Sequence, residues 1–418
     1  MTPLPAKLSV ERLPVEGKTV LVRVDYNVPL ADGPGGTQRV ADDTRIAASL
    51  PTIRHLAGRG AKIVLVSHLG RPDGKADPRL SLKPVAERLA ELLSQPVAFC
   101  PEVIGPKAQA AVKALAPGGV LLLENVRFHA EEEKNDPAFA QALAKLAEAY
   151  VSDAFGTVHR AHASTAGVAR YFPQAACGFL IAKELNFLGQ ALSAPVHPYV
   201  AVLGGAKVGD KIPVIRSLLN RADTLLIGGA MAYTFLKSQG HAIGASPLDE
   251  PHVKLAGELV AEAKARGKAL LLPGDHLVSP LSGFAPGKPG KAPKPGANSP
   301  AEASGVEIAA GKVGLDIGPQ TAKRFADEIR RAKLVVWNGP MGMFELPRFA
   351  QGTLAVANAM AEATANGAVT IVGGGDSAAA VNEAGLADRM SHISTGGGAS
   401  LEFLEGRVLP GIAVLTDA

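Results

Sequence analysis

The sequence predicts an α/β protein of two doubly wound parallel-sheet domains joined by a hinge. Three observations predict it. The 418 residues exceed what one ordinary hydrophobic core organises. Short apolar runs alternate with longer stretches of helical period along the whole chain, the pattern of strand–helix–strand units. The runs are apolar throughout rather than at every second residue, as strands buried on both faces of a parallel sheet must be.

In the first half the expected strands are Thr19–Val24, Lys62–Ser67, Val120–Glu124, Ala149–Asp153 and Cys177–Leu180. One intervening helix opens at Ser81 and carries Val85, Leu89, Leu92 and Leu93. Another opens at Asp136-Pro137, an N-cap followed by proline where a missing N–H costs nothing; Phe139, Leu143, Leu146 and Tyr150 then recur at spacings of 4, 3 and 4. Glu184–Leu192 reads as a helix and Ser193–Pro198 as a linker. The expected organisation is therefore a first domain over 1–183, a connection over 184–198, a second domain over 199–403 and a tail over 404–418. Strands of the second domain are Tyr199–Leu203, Asp223–Ile227, Ala269–Leu272, Leu334–Trp337, Val369–Val372 and Ser391–Ser394. Between Gly283 and Gly305 stand five prolines, five glycines and three lysines, with Phe284 the sole large apolar side chain. That composition cannot bury a core, so a solvated surface insertion without regular structure is expected, and deletion of Ala285–Ser304 is expected to leave activity nearly intact.

Composition excludes several classes. With 47% hydrophobic and 20% charged residues the chain reads as a globular enzyme, not a disordered one. No apolar run reaches the ~20 residues that span a bilayer, and the first residues lack a signal-peptide core, so a cytoplasmic protein without membrane contact is expected. Cys100 and Cys177 form no CxxC and no framework, and are expected as reduced core residues. A net charge of +4 is too small to argue for nucleic acid.

The first half places cationic groups after its predicted strands: Arg23-Val24-Asp25-Tyr26-Asn27, Ser67-His68-Leu69-Gly70-Arg71, Asn125-Val126-Arg127, and Asp153 through Val158-His159-Arg160-Ala161-His162. Arg45 stands at a helix start, Asp42-Asp43-Thr44-Arg45. Ligands of open α/β sheets bind outside the carboxyl ends of the strands, so these groups converge on one crevice. Guanidinium forks hold carboxylate and phosphate bidentately, which implies a small, multiply anionic ligand. Each arginine alone reads equally as a surface ion-pair partner and each histidine as structural. Repetition at strand ends is what favours a site.

The second half places glycine turns at the same topological positions: Gly204-Gly205-Ala206-Lys207-Val208-Gly209-Asp210-Lys211, Gly228-Gly229, Gly373-Gly374-Gly375-Asp376-Ser377 and Gly396-Gly397-Gly398. Glycine lets backbone N–H groups approach an anion, and a helix N-terminus adds partial positive charge. Lys207 and Lys211, four apart, would point the same way on a first helical turn. The spacing is not that of a P-loop, and a helix cap with two solvated lysines is the competing reading. Asp376 suits Mg²⁺, which takes one or two carboxylates plus phosphate oxygens. Glu345 would accept from ribose hydroxyls, or is a plain loop acid. No zinc spacing and no Gly-x-Ser-x-Gly elbow occurs. No Gly-x-Gly-x-x-Gly with a following acid supports a dinucleotide-dependent oxidoreductase, and a non-catalytic scaffold would not need this set of lysines, Arg45 and Asp376.

These strings, with Trp337-Asn338-Gly339-Pro340-Met341-Gly342, resemble those of phosphoglycerate kinases, in the family's order from about residue 18 to 406. The resemblance implies two Rossmann-like domains with the Leu409-Pro410-Gly411 tail packed back on the first. It implies phosphoryl transfer between 1,3-bisphosphoglycerate and MgADP, giving 3-phosphoglycerate and MgATP, by a protein that is usually monomeric. Carried over residue by residue, Asp25, Asn27, Arg45, His68, Arg71, Arg127 and Arg160 hold the glycerate compound. Lys207, Lys211, Asn338, Gly373, Gly374, Gly375, Asp376 and Ser377 meet the nucleotide phosphates and Mg²⁺. Gly228, Gly229, Gly314 and Leu315 form the adenine pocket and Glu345 holds ribose. Arg45, Lys207, Lys211, Gly374 and Gly397 are the implied catalytic set. Ser377 keeps the hydroxyl where threonine is also common, Gly209 replaces a usual serine or alanine, and the 283–305 insertion is longer than the family pattern.

Overall fold

The computed structural model describes residues 6–33, 37–285 and 294–418. The chain divides into two compact units. One takes the residues up to Asn186 together with Val408–Ala418; the other is Phe187–Arg407.

The first unit is built on six parallel strands in the spatial order Val97–Cys100, Val120–Leu123, Lys62–Val66, Thr19–Val24, Ala149–Asp153, Ala175–Cys177. Val20, Val22, Ile63, Leu65, Val120, Leu122 and Val151 are sealed into a core with Ile46, Ile53, Val85 and Leu89 from helices Thr44–Gly58 and Lys83–Leu93. Both faces of the sheet are covered, which is why its strands are apolar at most positions, with Arg23, Ser152 and Asp153 as buried exceptions. Lys83–Leu93 begins two residues after Ser81, whose hydroxyl accepts from Lys83 N at 3.2 Å. Asp136 caps Pro137–Ala144 by accepting from Phe139 N at 2.9 Å. That helix stops short of Leu146 and Tyr150, and Tyr150 lies in the Ala149–Asp153 strand, where the apolar spacing ran on by coincidence.

Two further readings are corrected. The strand expected at Cys177–Leu180 is Ala175–Cys177, and Phe179 already begins the helix Phe179–Ser193 that carries the chain into the second unit. The cause is Asp153, fully buried, whose Oδ1 accepts from Leu180 N at 2.9 Å and Ile181 N at 3.3 Å and so starts the helix. Burial pushes that carboxyl up to about 7. The strand Val97–Cys100 was not anticipated. The tail returns to this unit: Gly411 N donates to Val158 O at 2.8 Å, Thr416 N to Ala175 O at 2.9 Å, and Lys7 Nζ to Asp417 Oδ1 at 2.7 Å. Cys100 and Cys177 are buried and unpaired.

The second unit is also built on six parallel strands, in the order Ala269–Leu271, Thr224–Ile227, Tyr199–Leu203, Leu334–Asn338, Val369–Gly373, His392–Ile393. Trp337, Val200, Val202 and Val372 pack against Phe325, Val356 and Met360 of helices Pro319–Arg331 and Gln351–Ala365. Beside it lies a three-stranded antiparallel sheet, Glu302–Ser304, His276–Pro280, Lys312–Ile317. It corrects the structureless reading of 283–305. Glu302–Ser304 pairs along His276–Val278, and Phe284–Ala285 pairs with Lys294–Pro295. An edge strand is held by main-chain hydrogen bonds, so it needs no apolar side chains of its own. The middle of the insertion, 286–293, lies outside the described residues.

Candidate functional site

In the first unit the Thr19–Val24 strand lies between Lys62–Val66 and Ala149–Asp153, so the loops after all three leave the sheet side by side at its switch point. Asp25 accepts from Arg45 Nη1 at 2.8 Å and from Asn27 N at 3.2 Å. Asn27 Oδ1 accepts from Gly70 N at 2.9 Å, tying the first loop to the second. Arg127, buried, donates from Nη1 to Gly70 O at 2.8 Å and lies 3.2 Å from Glu133. Arg160 Nε meets His159 Nε2 at 3.2 Å. Arg71 is exposed on its loop.

The electrostatics show the convergence. His68 is held neutral, well below the usual imidazole range, first by burial and then by Arg23, Arg127, Arg45 and His162. His162 is pulled down to about 4 by burial and by Arg127, Arg23 and Arg160. Two arginines and a histidine in one loop cluster, with a third and fourth arginine in range, make a field that suits a ligand carrying several negative charges. Two members had no role assigned from the sequence, although Arg23 opened the first cationic string. Arg23 is buried to 1% exposure inside the first strand, and Glu132 is completely buried beneath it. A charge inside an apolar parallel strand was a readable signal. Nothing in Glu131-Glu132-Glu133 tells which glutamate turns inward.

In the second unit Tyr199–Leu203 lies between Thr224–Ile227 and Leu334–Asn338, and the Gly204, Gly228 and Gly339 turns interlock at the strand ends. A Cβ on Gly204 would stand 2.1 Å from Pro340 O, so only glycine allows this approach. The N–H groups of Gly204, Gly205, Gly228 and Gly229 are committed to the carbonyls of Asn338, Pro340, Leu203 and Met341 at 2.8–3.1 Å. These glycines therefore pack loops together rather than offering N–H groups to an anion, which corrects the cradle expected at Gly204-Gly205.

The two lysines also differ from expectation. The helix begins at Ile212, so Lys207 and Lys211 do not share a helical turn. Lys207 is exposed. Lys211 turns inward and donates to Gly204 O at 2.6 Å, Asn338 Oδ1 at 2.8 Å and Asn338 O at 3.0 Å. Burial draws its pKa down to about 8, with Asp376 and Asp210 opposing. Three acceptors for three N–H donors favour the ammonium form at neutral pH. Asn338 holds Lys211 with its Oδ1 while its buried Nδ2 has no partner and lies 3.0 Å from where a Cβ of Gly374 would be. An unsatisfied donor beside the Gly373–Gly375 turn is a fit for a phosphate oxygen. Ser377 is fully buried, its Oγ accepting from Gly339 N at 2.7 Å.

A cavity of about 240 Å³ gathers Gly229, Gly314, Leu315, Glu345 and Asp376 with Tyr233. Gly314 is needed there because a Cβ would stand 2.1 Å from the Tyr233 hydroxyl. Asp376 sits exposed in the first turn of helix Gly375–Glu383, within electrostatic range of Lys211. Among the described residues no cluster of three or more His, Cys, Asp or Glu could hold a metal alone. A single carboxylate beside a phosphate site is nevertheless the donor set that a nucleotide-bound magnesium takes.

A family model described as phosphoglycerate kinase matches residues 10–407. A phosphoglycerate kinase of Clostridium novyi (strain NT) is 54% identical over 414 residues, 98% of this chain and 99% of that protein. One of Clostridium botulinum (strain Langeland) is 52% identical over 413 residues, with the same coverage. Among solved structures, phosphoglycerate kinase from Coxiella burnetii superposes with a TM-score of 0.84 at 38% identity, and that from Pyrococcus horikoshii OT3 with 0.81 at 33%, each covering 98% of both chains.

Proposed function

The chain belongs to the phosphoglycerate kinase family, and from that membership we propose how its residues divide the reaction. As a kinase of glycolysis it moves a phosphoryl group between 1,3-bisphosphoglycerate and ADP, giving 3-phosphoglycerate and ATP. The glycerate compound is assigned to the first unit. Arg45, Arg71, Arg127 and Arg160 would take its phosphate and carboxylate oxygens, with His68 as a neutral donor and Asp25 and Asn27 as acceptors for its hydroxyl. The nucleotide is assigned to the second unit, with adenine in the Gly229–Gly314–Leu315 cavity beside Gly228 and ribose against Glu345. Its phosphates fall to Lys207, Lys211, Asn338 and the turns at Gly373–Gly375, Ser377 and Gly397. The single observation that carries this division is the Lys211–Asn338 pair, a buried ammonium and a free amide donor at a glycine turn.

Asp376 would hold Mg²⁺, which when bound shields the charge of the nucleotide phosphates. The protein's own work is positioning and charge balance, since phosphoryl transfer needs little covalent help. The attacking carboxylate of 3-phosphoglycerate is already ionised, so no general base is required. Arg45 and Gly374, with Lys207, Lys211 and Gly397, would stabilise the group in flight. Direct transfer requires the two substrates to meet with water excluded, so closure about the connecting segment belongs to the proposal. So do a monomeric state and a cytoplasmic location; no helix among the described residues is long and apolar enough to cross a membrane.

Calorimetric titration tests the division. Arg127→Ala is expected to weaken 3-phosphoglycerate binding and leave MgADP binding unchanged; Gly314→Val is expected to do the reverse. Loss of both ligands in either variant, with the fold intact, contradicts the assignment.

A further inference from the structure

Beneath the cation cluster runs a buried hydrogen-bond chain that the reaction does not use directly. Arg23 Nε donates to Ser164 Oγ at 2.8 Å, and Ser164 Oγ meets Glu132 Oε1 at 2.6 Å. Ser164 N donates to Glu132 Oε2 at 2.8 Å. Arg23 Nη1 donates to Val24 O, and Nη2 lies 3.2 Å from His68 Nδ1. Arg23, Ser164 and Glu132 are at most 1% exposed. The direction of this chain is forced by chemistry. Arginine only donates, so Ser164 Oγ must accept from it and pass its own proton toward Glu132. By the same rule His68 Nδ1 must accept, which leaves the ring proton on Nε2. A rival arrangement stands close by: Asp25 Oδ1 is 4.0 Å from the same Nδ1 and would favour a proton there. Which partner takes Nδ1 decides what the ring offers a ligand.

We propose that Glu132 and Ser164 are positioning residues: through Arg23 they fix His68 as the neutral ring protonated on Nε2, so that its free edge donates to the bound glycerate compound. The groups facing His68 are Arg23, Arg45, Arg127, His162 and Asp25, and Arg23 alone among them donates to Nδ1. A fully buried glutamate has a reason to be there. Its two oxygens accept from Ser164, burial raises its pKa while Arg23 and the Ser164 hydrogen bonds oppose that rise, and His162 Nδ1 lies 4.0 Å away. The kinetic half of the proposal rests on His68 being a glycerate ligand.

The test uses the full chain, with ¹⁵N-labelled histidine rings read by NMR without substrate, alongside steady-state kinetics. Wild type is expected to show His68 protonated on Nε2. Ser164→Ala removes the acceptor that orients Arg23. It is expected to shift the ring toward the Nδ1–H form and to raise KM for 3-phosphoglycerate roughly tenfold, the cost of one charge-assisted hydrogen bond, leaving KM for ATP unchanged. Ser164→Thr, which keeps the hydroxyl, restores both readouts. Glu132→Gln, isosteric and uncharged, gives the same shift by a second route should Ser164→Ala fold poorly. An Nδ1–H ring in wild type, or an unmoved tautomer in both variants, overturns the proposal. A His68→Ala variant with wild-type KM for 3-phosphoglycerate would instead overturn the ligand assignment, while the ring-proton result still decides the positioning.

Discussion

Buried ionisable side chains carry most of the information at the residue scale. Arg23 and Glu132 answer each other through Ser164, whereas His276 answers nothing: both ring nitrogens are buried without a partner, and its ring packs 5.4 Å from that of Tyr233. Burial draws its pKa down to about 4. The unfolded chain takes up the proton near the ordinary value of 6.5, while the folded one resists until about 4. Stability therefore falls as pH drops through that window. His276→Phe is expected to remove the penalty. Its stability advantage over wild type, measured by urea unfolding, should grow by about 2 kcal/mol between pH 7.5 and pH 5 at 1.36 kcal/mol per pKa unit; a constant difference would refute the reading. Legibility at this scale was uneven. Asp25, Asn27, His68 and Arg127 stood out because polar residues ended apolar runs, and Arg45 because it opened a helix. Lys211 was visible but its direction was not, since whether a lysine faces solvent or three carbonyl oxygens is set by loops 127 residues apart in sequence.

At the scale of elements, the parallel strands were legible because burial on both faces leaves only apolar residues. The antiparallel patch was not. Lys312–Ile317 does alternate, with Val313, Leu315 and Ile317 at every second position, but the Gly314 and Asp316 between them masked it; Glu302–Ser304 holds no large apolar residue and shows no strand period. They are held by register instead, Val278 opposite both Glu302 and Gly314. The patch has a functional consequence, because Gly314 and Leu315 line the cavity assigned to adenine. Excising only residues 286–293 is expected to leave KM for ATP and thermal stability near wild type. Extending the deletion through Ser304 strips one edge of the His276–Pro280 strand, and is expected to lower the melting temperature and raise KM for ATP. Equal behaviour of the two deletions, in thermal melts and kinetics, would show that the edge strand is dispensable.

For the whole molecule, two parallel sheets each put their loops at a switch point, and the proposed function divides the chemistry between them. One unit gathers guanidinium groups with few carboxylates; the other interlocks glycine turns around one buried ammonium. On the proposed assignment neither set is a complete phosphotransfer site alone, because the charge that develops on a phosphoryl group in flight spreads over several oxygens. Transition-state stabilisers reveal themselves in kcat rather than in substrate affinity. The most direct measurement is steady-state ATP formation from 1,3-bisphosphoglycerate and MgADP by wild type, Arg45→Ala and Lys211→Ala. The account predicts that each substitution, one in each unit, lowers kcat by roughly 10²-fold or more, as loss of a preorganised transition-state donor does. An unchanged kcat in either variant would contradict it.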